Sequence, residues 1–315
     1  MNRINSPISV QVTAPATKQG ATFHTIKLRV TAGIDNPLNG VDVTLSSPTL
    51  GSETITFDIS SVLRAAADAY VPKPDVLTCP TVLFQCCWHE EYLLQGEQKV
   101  GSEHDITPQD NIAYFGGYTD YERITNKLPT GFTRKPLTSI ETVAVGDTFI
   151  APSPSGEGWG GAITEPGPQT VHGHTLYAVP ANRNRYQFRF VNGLGAMESV
   201  SVECYADEEV QYNIEQFQQT RPESMGGISH TRIAKALDIE QWKFSTGPLT
   251  RDWRQWYAHE FLMSEHVWLF CSLAPGASAQ WLPVLIIPEE TTPLINRQSN
   301  DLPSIDFTVK MNFQG

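Results

Sequence analysis

Apolar and polar residues alternate along most of this chain. Ile8, Val10 and Val12 are separated by polar residues, and Ile26, Leu28 and Val30 are set against Lys27, Arg29 and Thr31. Val41, Val43 and Leu45 repeat the pattern, as do Ile55, Phe57 and Ile59. Each run predicts a strand with one face buried. "DNPLNG" at 35–40 carries turn chemistry between two of them. Together these strands predict a small N-terminal β-sandwich. "DISSVLRAAADAY" at 58–70 breaks the alternation. It predicts a short helix capped by Asp58 or Ser60, with Val62, Leu63, Ala66 and Tyr70 on one side and "VPKPD" as its stop. "TVLFQCCWHEEYLL" then reads as one or two core strands. "AYFGGYTDYERI" reads as an aromatic strand, a Gly-Gly turn and a polar stretch, and "TVAVGDTFIAP" as a strand pair.

The alternation vanishes over 151–174, "APSPSGEGWGGAITEPGPQTVHGH", where Gly, Pro and Ser crowd together. That composition predicts a linker or a long surface loop. Alternation resumes with Tyr186, Phe188 and Phe190, and again with Val200, Val202 and Cys204. Over 249–264, Leu249, Trp253, Trp256, Tyr257 and Phe261 fall at helix spacing and predict one amphipathic helix. "WLPVLII" at 281–287 reads as a buried strand ended by Pro288. In the last run Ile305, Phe307, Val309, Met311 and Phe313 alternate without a fault. That strand must close a sheet or pair with another subunit. The predicted fold is mainly β, with two or three β-sandwich-like domains and one or two short helices. Residues 1–150 form an N-terminal β region, either whole or divided into a sandwich over 1–75 and a second sheet over 76–150. Residues 151–174 form the linker or loop, and 175–315 a C-terminal β-sandwich-like domain with the helix.

Composition supports this picture. Pro (22) and Gly (23) are plentiful, as many short strands joined by turns require. The net charge of −12 would repel a polyanion, which disfavours nucleic acid as a main partner. The five cysteines include a vicinal pair, Cys86-Cys87, but no CxxC; set in apolar runs, they read as reduced core residues. No run approaches the length of a membrane span, and the N-terminus lacks an apolar signal core. Synthesis and folding in the cytoplasm are therefore expected.

Candidate chemistry is thin. Gly193-Leu194-Gly195 invites a phosphate-loop reading, but a dinucleotide fingerprint needs a third glycine where Glu198 stands, and a helix where Val200 to Cys204 alternate. "VNGLGAME" therefore predicts a hairpin connection, with the Asn and the glycines at positive-φ positions. His259-Glu260 with His266 misses the zincin spacing and reads as a solvated helix face. His172 and His174 would share one side of a strand and chelate a metal there, but exposed polar residues are the simpler reading. GxSxG and EF-hand spacings are absent, and no cofactor is expected. Aromatics in loops are the remaining signal. Trp159 sits in "GEGWGG", outside any regular element, and Tyr114, Tyr118 and Tyr121 surround Gly116-Gly117. Such residues stack on sugars, anchor interfaces, or plug the ends of a sandwich.

"YQFRFVNGLGAMESVSVECYAD", "TGPLTRDWRQWYAHEFLMSEHVWL" and "LPVLII", with "FDISSVLRAA" and "FGGYTDYER" upstream, carry a resemblance. Their layout resembles virion proteins encoded by phages and prophages of Bacteroidetes bacteria, in which an F-x-N-x-x-G-x-x-E strand end recurs. The resemblance implies a tail, baseplate or fibre component in the virion, built from β-sandwiches and assembled in the host cytoplasm. Its motifs are structural, so no active site follows from it. The expected partners are other virion proteins and further copies of the chain. A host-surface glycan or receptor is the alternative partner. The expected contact residues are Trp159, Tyr114, Tyr118, Tyr121, Phe307, Val309, Met311 and Phe313.

Overall fold

A computed structural model describes residues 2–34, 36–129, 131–136, 140–182, 185–203, 207–220, 229–272, 278–289 and 303–311, with backbone only for the strand segments within 203–241. Cys204 and Phe313 lie outside the described residues. The chain is mainly β and divides into two compact units. Unit 1 comprises Met1–Arg134, Ile150–Gly161 and Val191–Glu198; unit 2 comprises Lys135–Phe149, Ala162–Phe190 and Ser199–Gly315.

Unit 1 begins with β1 (Asn2–Arg3), β2 (Ser9–Thr13), β3 (Ala21–Gly33), β4 (Val41–Pro48), β5 (Thr54–Asp58) and α1 (Ser60–Ala67). It continues with β6 (Thr81–Leu94), β7 (Glu97–Val100), β8 (His104–Asp105), β9 (Ile112–Tyr114) and α2 (Asp120–Ile124). A seven-stranded sheet runs β1-β9-β6-β3-β4, with β7 and β8 also on β6. β2 and β5 form a separate pair. Alternation works as expected: Ile26, Leu28 and Val30 of β3 are buried with Val82, Phe84 and Cys86 of β6, under Val10, Val12, Phe57, Val62 and Leu63. β3 and β6 pair from Ala21↔Leu94 to Gly33↔Leu83. The division into a sandwich over 1–75 and a second sheet over 76–150 therefore does not hold: strands from both stretches share one sheet and one core. At α1 the Asp58 carboxylate accepts from the Ser60 N–H at 2.9 Å and its hydroxyl at 2.6 Å. The polar stretch after Gly-Gly is the short helix α2, with Thr119 and Glu122 forming a reciprocal capping box.

The remaining strands are β10 (Glu141–Ala144), β11 (Thr148–Pro152), β12 (Gly158–Ala162), β13 (Gly167–Val171), β14 (His174–Val179), β15 (Arg185–Val191) and β16 (Met197–Glu203). After them come β17 (Asp207–Thr220), β18 (Ser229–Ser245), α3 (Arg251–Trp256), β19 (Val267–Cys271), β20 (Gln280–Pro288) and β21 (Asp306–Met311). The predicted β10–β11 pair does not form: β10 runs parallel to β14, which also pairs β13, and β11 pairs β12. Residues 151–174 are thus not a linker; they build strands. Glycine permits this by close backbone approach rather than side-chain burial. A Cβ on Gly158 would lie 2.3 Å from Leu77 Cβ, and Gly156, at φ +88°, sits on the Phe132 ring.

Unit 2 centres on a seven-stranded sheet ordered β16-β15-β19-β20-β21-β18-β17. α3 continues into a π-helical turn, Tyr257–Phe261, and together they cover the inner face of that sheet. Phe188, Phe244, Phe261 and Phe307 meet at centroid distances of 5.4–5.6 Å. β21 lies in the middle of the sheet, between β20 and β18. Phe307, Val309 and Met311 are buried in this core and offer nothing to a partner. The same holds for Trp253 and Trp256 of the helix. Glu260, read as part of a solvated face, is buried, whereas His259 and His266 are exposed.

Candidate functional site

The predicted contact residues of unit 1 do not form a platform. Trp159 lies within β12 and is half-buried. Tyr114 belongs to β9 and packs edge-on against Phe132 at 5.0 Å. The buried Arg3 guanidinium explains the cluster. It lies 4.2 Å over Phe132 and 5.8 Å from both the Tyr114 and the Tyr118 rings. It donates to the Leu194 carbonyl at 2.6 Å, to Phe115 at 3.3 Å and to Gly131 at 3.2 Å. Tyr114 and Tyr118 are therefore walls of a cation cage. Tyr121, on α2, is exposed.

The Gly-Leu-Gly stretch is the turn of the β15–β16 hairpin, as the sequence predicts, but by a different device. Only Gly195 of the three residues has positive φ (+82°), and a Cβ there would meet the Phe115 backbone at 2.4 Å. Asn192 acts through its side chain instead. Its Oδ1 accepts from the N–H groups of Leu194 at 3.0 Å and Ala196 at 2.9 Å, and its amide donates to the Phe132 carbonyl at 2.7 Å and to Glu198 at 2.6 Å. Glu198 is fully buried and completes this network. The N-x-x-G-x-x-E spacing thus supports the turn from within and ties it to the Phe132 backbone. His172 and His174 do not share a side. His172 is exposed at φ +49° in the β13–β14 turn, while His174 is buried against Phe149 at 5.3 Å. Burial holds His174 down at about 4, with Lys135 adding to the effect. Among the described residues no three His, Cys, Asp or Glu side chains converge as a metal would require.

Unit 2 holds a buried polar cluster that the sequence does not announce. Lys135 donates to Glu141 Oε2 at 2.8 Å and to the Ser199 carbonyl at 2.9 Å. Its ammonium lies 5.0 Å from the Phe149 ring and 5.1 Å from that of Trp256. Glu141 Oε1 has no hydrogen-bond partner among the described residues. Burial pushes the Glu141 carboxyl above the ordinary range, and Lys135 opposes the shift. Burial also raises Tyr257, and the Glu141 charge adds to it.

The surface feature of unit 2 is the outer face of its large sheet. On β20, Leu282, Val284 and Ile286 point into the core, so Trp281, Pro283, Leu285 and Ile287 point out. Leu285 is 54% exposed and Ile287 38%. Phe270 of β19, 40% exposed, pairs with Trp281 in register, their rings 5.0 Å apart. The Arg189 guanidinium stacks 4.0 Å over Trp281. Lys310 stands beside Leu285, and Thr308 lies between Ile287 and Lys243. The result is an aromatic and aliphatic stripe bordered by cations. "WLPVLII" reads as buried because an unbroken apolar run signals burial on both faces; among the described residues, only one face is fully covered. No described helix is long and apolar enough to cross a membrane. No protein family, curated protein or solved structure matches this chain.

Proposed function

We propose that the protein is a non-enzymatic structural component of a bacteriophage particle, associated with the tail, baseplate or fibre and acting through subunit interfaces. The observation that carries the assembly role is the apolar outer face of the unit 2 sheet. Covering Phe270, Leu285 and Ile287 removes on the order of 200 Å² of apolar surface from water, about 5 kcal/mol before the costs of association. Contiguous exposed apolar residues are a feature of interaction surfaces, and Phe270, Leu285 and Ile287 sit together on one sheet face. The phage setting comes from the resemblance of the hairpin, helix and strand motifs to virion proteins. Quantitative mass spectrometry of purified particles, with and without the gene, tests the reading. The protein is expected at a fixed ratio to known tail proteins. Its absence from particles that assemble normally would sink the proposal.

The stacked Arg189–Trp281 pair beside Phe270 favours a second reading, a carbohydrate- or receptor-binding module. Glycan binding on an array, abolished by Trp281→Ala with the fold intact, would select it.

A further inference from the structure

Asparagine precedes glycine at Asn39-Gly40, in the β3–β4 connection, and at Asn192-Gly193, in the β15–β16 hairpin. Glycine leaves the backbone nitrogen that follows the asparagine without a side chain to shield it. The two pairs are chemically alike, and the fold treats them oppositely. Asn192 is buried, and its side-chain amide makes hydrogen bonds to Phe132, Glu198, Leu194 and Ala196 at 2.6–3.0 Å. It cannot turn its Cγ toward the Gly193 nitrogen without breaking them. Asn39 is exposed, and among the described residues nothing hydrogen-bonds to its side chain. It ends a short 3-10 turn, Pro37–Asn39. The turn is held by the Leu38 N–H on Asn36 Oδ1 at 2.9 Å and the Asn39 N–H on the Asn36 carbonyl at 3.1 Å. Exposed hydrogen bonds of this kind open locally at little cost. Packing requires the glycine that follows: a Cβ on Gly40 would lie 1.9 Å from the Ala32 carbonyl oxygen.

We propose that Asn39 is a site of spontaneous deamidation and that Asn192 is protected from it. The Gly40 backbone nitrogen attacks Cγ of Asn39. The new nitrogen–carbon bond closes a five-membered imide as the side-chain carbon–nitrogen bond breaks. The displaced nitrogen leaves as ammonia, carrying the proton that Gly40 gives up. Water then opens the imide at either carbonyl. One opening yields aspartate; the other yields isoaspartate, whose main chain runs through the side-chain carbon. Either product adds a negative charge. Isoaspartate also lengthens the main chain where Gly40 already packs against the Ala32 carbonyl. The next residue, Val41, pairs with Ala32 and opens the edge strand β4, so isoaspartate loosens the start of that strand. The site is independent of the particle reading.

Ageing the full chain in mildly alkaline buffer, followed by peptide mapping and enzymatic isoaspartate labelling, tests it. The peptide that carries Asn39 is expected to gain about 1 Da and take the label about tenfold faster, or more, than the peptide that carries Asn192. In denaturant, where both side chains are free, the two rates should converge. Asn36→Ala removes the side-chain bond to the Leu38 N–H and is expected to speed the native reaction, whereas Asn39→Gln abolishes it at this site. Hydrogen exchange of the first β4 amides should quicken as the label accumulates. An Asn39 peptide that keeps its mass in the folded chain while the unfolded chain converts overturns the proposal. Equal rates at the two sites in the folded chain do the same. Isoaspartate at position 39 with unchanged β4 exchange overturns the loosening of β4.

Discussion

Replacing Lys135 with Met leaves the Glu141 carboxylate buried without the ammonium that donates to it. Methionine keeps an unbranched apolar stem between the Phe149 and Trp256 rings, so the change removes charge more than volume. Glu141 then avoids an unpaired buried charge by taking up a proton. Holding a carboxyl of ordinary pKa protonated at pH 7 costs about 1.4 kcal/mol per unit, close to 4 kcal/mol in all. At pH 5 the same step costs about 1 kcal/mol. The sign follows from linkage. A folded pKa raised above the unfolded value gives stability that is complete below about pH 4.3 and is lost as pH rises. Urea unfolding of Lys135→Met at pH 5, 6 and 7, monitored by tryptophan fluorescence, should show a penalty that grows by about 1.4 kcal/mol per pH unit. Adding Glu141→Gln should remove the slope and recover most of the loss, since neutral replacement of a buried pair is often harmless. A penalty independent of pH, or single and double variants of equal stability, would refute the reasoning.

Asn192→Ala should cost about 2–4 kcal/mol, because it strips partners from buried Glu198 and from two turn N–H groups; chemical denaturation measures it. Asn192→Asp should be at least as harmful, since it faces one carboxylate with another. His174, neutral in the fold and held at about 4, should cause thermal stability to fall as pH drops from about 6.5 toward 4, and His174→Leu should flatten that fall. Burial pushes the thiols of Cys79 and Cys86 up to about 12, so both should resist a thiol reagent in the native state and react on unfolding, as peptide mapping would show.

The amino-acid sequence by itself determined the strands whose two faces differ. Ile26–Val30, Tyr186–Phe190 and Ile305–Met311 alternate because one side of each meets a core, and that signal is local. The hairpin at Asn192 was legible for the same reason: its spacing encodes contacts within a few residues. Even the missed helix α2 carries a local signature, the Thr119-x-x-Glu122 capping box. Tertiary structure alone decided the rest. Strand order placed β21 inside its sheet, where Phe307 and Val309 serve their own unit. Close backbone approach, invisible to hydropathy, made strands of the glycines near Trp159. Lys135 and Glu141 look like surface residues until burial and two aromatic rings surround them. The outer face of β20 shows the limit most clearly. An apolar run states that both faces should be covered, and only packing reveals which cover is supplied within the chain.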